Sequence, residues 1–138
     1  MKAKLAVVTA GTWLILLILA IINAITRESL YKPFLGDLLA HQLSSVIFIL
    51  LVLFLTYAVL RIGKLELHNT EAFLMGTTWL VATIVFEFIA GHYVFGNPWE
   101  KLFADYNLLE GRIWALVLLN IFIAPYIANK ILRSRKIK

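Results

Sequence analysis

The chain has 138 residues, 62% of them hydrophobic and only 15% charged, with a mean hydropathy of +0.87 and a formal net charge of +5. A soluble domain carries about half apolar and about a quarter charged residues, so this surplus calls for lipid around one domain. There is no cysteine, which excludes a disulfide framework, a thiolate metal site and the thiol chemistry of membrane oxidoreductases.

Four apolar stretches follow one another at about 5–25, 38–60, 72–95 and 113–132. Each is close to the roughly 20 residues a helix needs to cross a ~30 Å hydrocarbon core. The expected fold is therefore all-α: a single four-span integral membrane bundle over residues 1–138. The first stretch follows Lys2 and Lys4 as a signal peptide would. Its length and the poor cleavage site at Ile22-Asn23-Ala24 make it a retained span.

Between the third and fourth stretches lies a segment of a different kind. Asn97-Pro98-Trp99-Glu100 reads as a helix start, with Asn97 as N-cap and Pro98 in the first helical position. Trp99, Leu102, Phe103, Tyr106 and Leu109 then recur at helical spacing, with Glu100, Lys101, Asp105 and Glu110 opposite and Gly111 able to end the run. This predicts a short interfacial amphipathic helix over about 98–110. Aromatic residues gather at the same end, at Tyr31, Phe34, Tyr93, Phe95, Trp99, Tyr106 and Trp114. They read as headgroup anchors.

Five of the thirteen basic residues lie in the last nine positions. Following an apolar run, they form a juxtamembrane tail suited to anionic lipid, which argues against nucleic acid as a partner. Nine basic residues fall on one side of the spans (Lys2, Lys4, Arg61, Lys64, Lys130, Arg133, Arg135, Lys136 and Lys138). Four fall on the other (Arg27, Lys32, Lys101 and Arg112). The split places both termini in the cytoplasm of a multi-pass cell membrane protein.

The few polar residues within the spans carry the functional argument. Glu87 lies about 12 Å below the outer end of the third span, where a charge requires a partner, protein burial or water. It shares an arc with Gly76, Thr83 and Ala90, which points it into a helix seam. It is either a proton- or cation-binding carboxylate or a structural group, neutral or paired with Arg112. Asp37, His41 and Ser44 share one face of the second span, with Asp37 also suited to its N-cap and placed to orient the imidazole. With Asn23 on the first span and Arg112 at the start of the fourth, every span supplies a polar group to the outer half. His92, Asp105 and Asn120 rank below these: His92 as an interfacial histidine, Asn120 as a lone amide bonding a neighbouring helix. Pro125 is expected to kink the fourth span, and Gly63 to end the second.

No catalytic motif is present: there is no HExxH, GxSxG, P-loop or dinucleotide fingerprint. His41 and His92 lack the spacing of a haem or zinc site, so no metal or cofactor is assigned. Small multidrug transporters are similar in span number. The glutamate on which they depend lies in their first span, where this chain has no acid. The leading expectation is a membrane subunit or accessory protein of a larger or homo-oligomeric assembly. The alternative is an oligomeric transporter responsive to protons or cations through Glu87, with His41 beside it. An enzyme acting on a lipid-like substrate at the outer interface ranks third.

Overall fold

The computed structural model describes residues 3–137, the side chain of Ile137 aside; the sequence readings of Lys2 and Lys138 lie outside these residues. Among them every regular element is a helix and there is no strand. Four helices are long and apolar enough to cross a membrane.

Helix α1 (Ala3–Thr26) turns Leu5, Thr9, Thr12 and Leu16 inward. Their four- and three-residue spacing is one helical stripe. The opposite face carries Val7, Leu14, Ile18 and Ile22 into the surroundings, Val7 at 71% exposure. A π-helical turn (Arg27–Tyr31) and one further helical turn (Lys32–Leu35) prolong it. Gly36 then reverses the chain at φ 84°, ψ 169°, a conformation open essentially to glycine alone.

Helix α2 (Asp37–Ile62) buries His41, Ser44, Phe48, Val52, Thr56 and Leu60 along one stripe. Its end closes with Leu65 N–H donating to Leu60 O at 2.9 Å and Lys64 N–H to Arg61 O at 3.2 Å. That pair of bonds is a Schellman cap, and its left-handed residue is Lys64 (φ 53°). Gly63 is the C-cap residue with an ordinary helical φ of −73°.

Helix α3 (Asn69–Ile89) starts with a capping box between His68 and Glu71 and continues through a π-helical turn (Ala90–Val94). Helix α4 (Trp99–Ala104) is shorter than the periodicity predicts. Its N-cap is Pro98, in extended conformation, and Asn97 instead accepts from His92 Nδ1–H at 2.9 Å through its carbonyl. Instead of one helix over 98–110, the chain turns after Ala104 and makes a 3-10 turn at Leu108–Glu110. Asn107, at φ −83° and ψ 89°, leaves helical space, and its carbonyl accepts from Glu110 and Arg112 N–H, each at 3.2 Å. The break lets the chain fold back onto the bundle.

Helix α5 (Trp114–Ile137) is the central element, packed against both α2 and α3, while α1 leans on the same two from the other side. Val117, Leu118, Ile121, Ala124 and Ala128 bury its inner face, and Pro125 lies fully buried within it. The α3–α5 crossing is closest at Gly76, where a Cβ atom would stand 1.9 Å from Phe122 O. Only a residue without a side chain fits there.

Candidate functional site

The polar groups at the end of the bundle opposite the termini collect around one stretch of chain, residues 105–114, where the return from α4 enters α5. Side chains of α2 and α3 hold this stretch at several points.

Glu87 is half-buried on α3. Its Oε2 accepts two hydrogen bonds, from Tyr106 OH at 2.9 Å and from Trp114 Nε1–H at 2.7 Å. Both donors come from aromatic residues that the sequence reads as lipid anchors. Arg112 is elsewhere, its guanidinium paired with Asp37. The expected Glu87–Arg112 pair is therefore corrected. A guanidinium at the exposed loop finds Asp37, itself exposed, while the neutral aromatic donors tolerate burial with Glu87.

Asp37 is the first residue of α2 rather than its N-cap, a position taken by Gly36. It binds Arg112 and approaches Lys32 Nζ at 3.7 Å. It therefore does not orient His41. The His41 ring, 4% exposed, accepts the Ile113 backbone N–H at Nε2, 3.2 Å away. Acceptance at Nε2 requires the neutral ring with its proton on Nδ1. Gln42, which the sequence reading passed over, donates to Gly111 O at 3.1 Å. Gly111 itself is left-handed at φ 84°.

Thus Asp37, His41, Glu87 and Arg112 gather on one loop and the start of α5. Asp105 is the C-cap residue of α4, beside Tyr106. Tyr106, outside the long helices, has its phenol pKa pushed well above the usual range, by burial first and then by the Glu87 carboxylate. It remains a hydrogen-bond donor throughout the neutral range.

The remaining candidates are placed apart from this cluster, and two of them, Asn23 and Asn120, join helices. Asn23 Nδ2 donates to Ser44 O at 3.0 Å, tying α1 to α2. Asn120 Nδ2 donates to Ile49 O at 3.2 Å, tying α5 to α2. His92 stacks on Trp99 with centroids 3.8 Å apart and belongs to the local turn before α4. Trp99 stacks in turn on Phe88, which also faces Tyr106.

The opposite end of the bundle has a fastening of its own. Asn129 on α5 accepts from Leu67 N–H at 3.2 Å and donates to Leu67 O at 2.7 Å, and Arg133 binds the same carbonyl. Trp79 Nε1–H donates to Thr9 O at 2.9 Å, joining α3 to α1.

Chemically this cluster supplies hydrogen-bond acceptors that fix a loop. It contains no activated hydroxyl or thiol nucleophile in the arrangement acyl or phosphoryl transfer needs. Among the described residues no three His, Asp or Glu side chains meet as a metal site. The signal for Tyr106 and Trp114 lay in their donor groups: an acid within a span needs donors, and a phenol and an indole can supply them while partly buried. The sequence matches no family model, no curated protein and no solved structure.

Proposed function

We propose that the chain is a multi-pass integral protein of the cell membrane, with both termini in the cytoplasm. In this reading it serves as a membrane subunit or accessory protein of a larger or homo-oligomeric assembly. The observation that carries the reading is the use made of Glu87. The most deeply placed acid of the outer half accepts from two donors on the returning loop, and so fastens that loop to the bundle. His41, Asp37, Arg112, Asn23 and Asn120 likewise each form a bond between elements. Polar groups used in this way set the shape that a chain presents to a partner. The exterior they support is apolar, with Val7 and Phe54 both 71% exposed.

Native mass spectrometry of the protein extracted in mild detergent from its own membrane tests this. Recovery in fixed stoichiometry with a second protein, or as a defined homo-oligomer, is the expected outcome. A bare monomer, with no partner retained at any detergent concentration, would overturn the assembly reading.

One observation favours a second reading, an oligomeric proton- or cation-responsive transporter. Both donors to Glu87 are neutral, and among the described residues it forms no salt bridge. Its carboxyl can therefore take up or lose a proton without breaking an ion pair. In that case reconstituted liposomes show pH-dependent flux that Glu87→Gln abolishes. Flux unchanged in Glu87→Gln rules out this mechanism.

A further inference from the structure

At the end of the bundle away from Glu87, the loop between α2 and α3 and the last turns of α5 enclose an open groove of about 720 Å³. Arg61, Lys64, Arg133 and Lys136 line it, over apolar surface from Leu65 and Leu132. One carboxylate, Glu66, opposes these four cations, and it is already paired with Lys136. The Arg133 guanidinium is engaged by Leu67 O. Among the described residues Arg61 reaches only a phenol oxygen, Tyr57 OH, at 3.5 Å. Among the described residues Lys64 makes no side-chain hydrogen bond and neither Arg61 nor Lys64 has a carboxylate partner.

The groove is also preformed. Asn129 and Arg133 pin Leu67 on one side, and the Schellman cap fixes Lys64 on the other. Cations held on rigid backbone beside an apolar floor fit a group that is anionic at one end and hydrocarbon at the other. We propose that this groove binds the phosphate headgroup of one anionic phospholipid of the inner leaflet, with Arg61 and Lys64 as its main ligands. The inference rests on the membrane reading given above, in which this end meets the cytoplasmic headgroup layer. There a basic pocket between helices recognises lipid phosphate, whereas a basic tail attracts anionic lipid without selecting a position.

The test compares phosphatidylglycerol binding by wild type, R61Q/K64Q and K130Q/R135Q. The last pair removes two cations from the same end but outside the groove. Each protein is reconstituted into phosphatidylcholine vesicles with and without phosphatidylglycerol, then titrated with phosphatidylglycerol in detergent and read by native mass spectrometry. Wild type is expected to retain one phosphatidylglycerol per chain. R61Q/K64Q weakens this about thirtyfold, at about fivefold per cation, and K130Q/R135Q changes it less than about threefold. Should the double variant fail to fold, K64Q alone carries the test through its single loss of about fivefold.

Equal losses in both double variants would mean diffuse charge attraction and would overturn the groove. Displacement of the lipid by millimolar inorganic phosphate would overturn the lipid as occupant. Wild type that enters both vesicle types without preferring phosphatidylglycerol sinks the headgroup site and leaves the membrane reading standing. A chain that enters neither sinks both.

Discussion

An acid half-buried among aromatic rings requires hydrogen bonds, and Glu87 receives them from a phenol and an indole rather than from a cation. The consequence differs between two substitutions. Glutamine keeps a carbonyl oxygen where Oε2 stands, so Tyr106 OH and Trp114 N–H retain an acceptor, and the cost is about 1 kcal/mol. Leucine removes the acceptor and leaves two polar tips unmet, at about 1–3 kcal/mol for each that stays buried. Thermal unfolding in mild detergent should therefore rank wild type and Glu87→Gln close together, with Glu87→Leu well below. Equal melting of the glutamine and leucine variants would contradict the fastening role. The position of Glu87 along its helix and the face it occupies were legible in the sequence, since both follow from counting along a helix. Its partners were not. Tyr106 and Trp114 have amphipathic rings that suit a membrane interface equally well, and only the path of the returning loop decides between anchoring and donation.

The same limit holds among the elements. Long apolar runs state their own helices because a span must satisfy its backbone internally. The segment from Trp99 to Glu110 has helical periodicity throughout, yet its helix stops at Ala104. Two tertiary bonds to Glu87, through Tyr106 and Trp114, draw the chain inward and outweigh a local preference worth a few tenths of a kcal/mol per residue. The α3–α5 seam was more readable, since Gly76 lies on the same arc as Glu87 and small residues there imply close approach. A Cβ atom at position 76 would overlap Phe122 O, a backbone atom that can move only with its helix. Gly76→Ala should therefore force the pair apart and destabilise the protein by about 1–3 kcal/mol. Gly11→Ala is the matched control: its Cβ would meet nothing within 4 Å, and alanine in a helix gains up to about 1 kcal/mol over glycine. Opposite signs for the two substitutions, measured by unfolding in denaturing detergent, are the expected result. A neutral Gly76→Ala would show that the seam is looser than its geometry.

At the scale of the whole molecule, the antiparallel course of the four long helices sets two chemically different ends against each other. Lys4 donates to Gly63 O at 3.1 Å and Lys136 pairs with Glu66, so the N-terminal turn, the α2–α3 loop and the last turns of α5 share one end. Arg27, Lys32, Lys101 and Arg112 belong to the other, where acids neutralise several of them: Glu28 binds Arg27 and Lys32, and Asp37 binds Arg112. The uncompensated positive charge is thus concentrated at the end bearing the termini, and basic residues in short loops resist translocation. The orientation can be read directly because the chain contains no cysteine, so a single introduced thiol reports its own side. Ser29 and Ser134 are both exposed, at opposite ends. In intact cells a membrane-impermeant maleimide should label Ser29→Cys and leave Ser134→Cys unmodified until the membrane is broken. Reversed labelling would place the basic groove on the outer surface, away from the leaflet whose anionic lipids it is proposed to bind. Labelling of both thiols in intact cells would mean that the chain inserts both ways round. The charge asymmetry would then be too weak to fix a single topology, and any assembly would have to accommodate antiparallel copies.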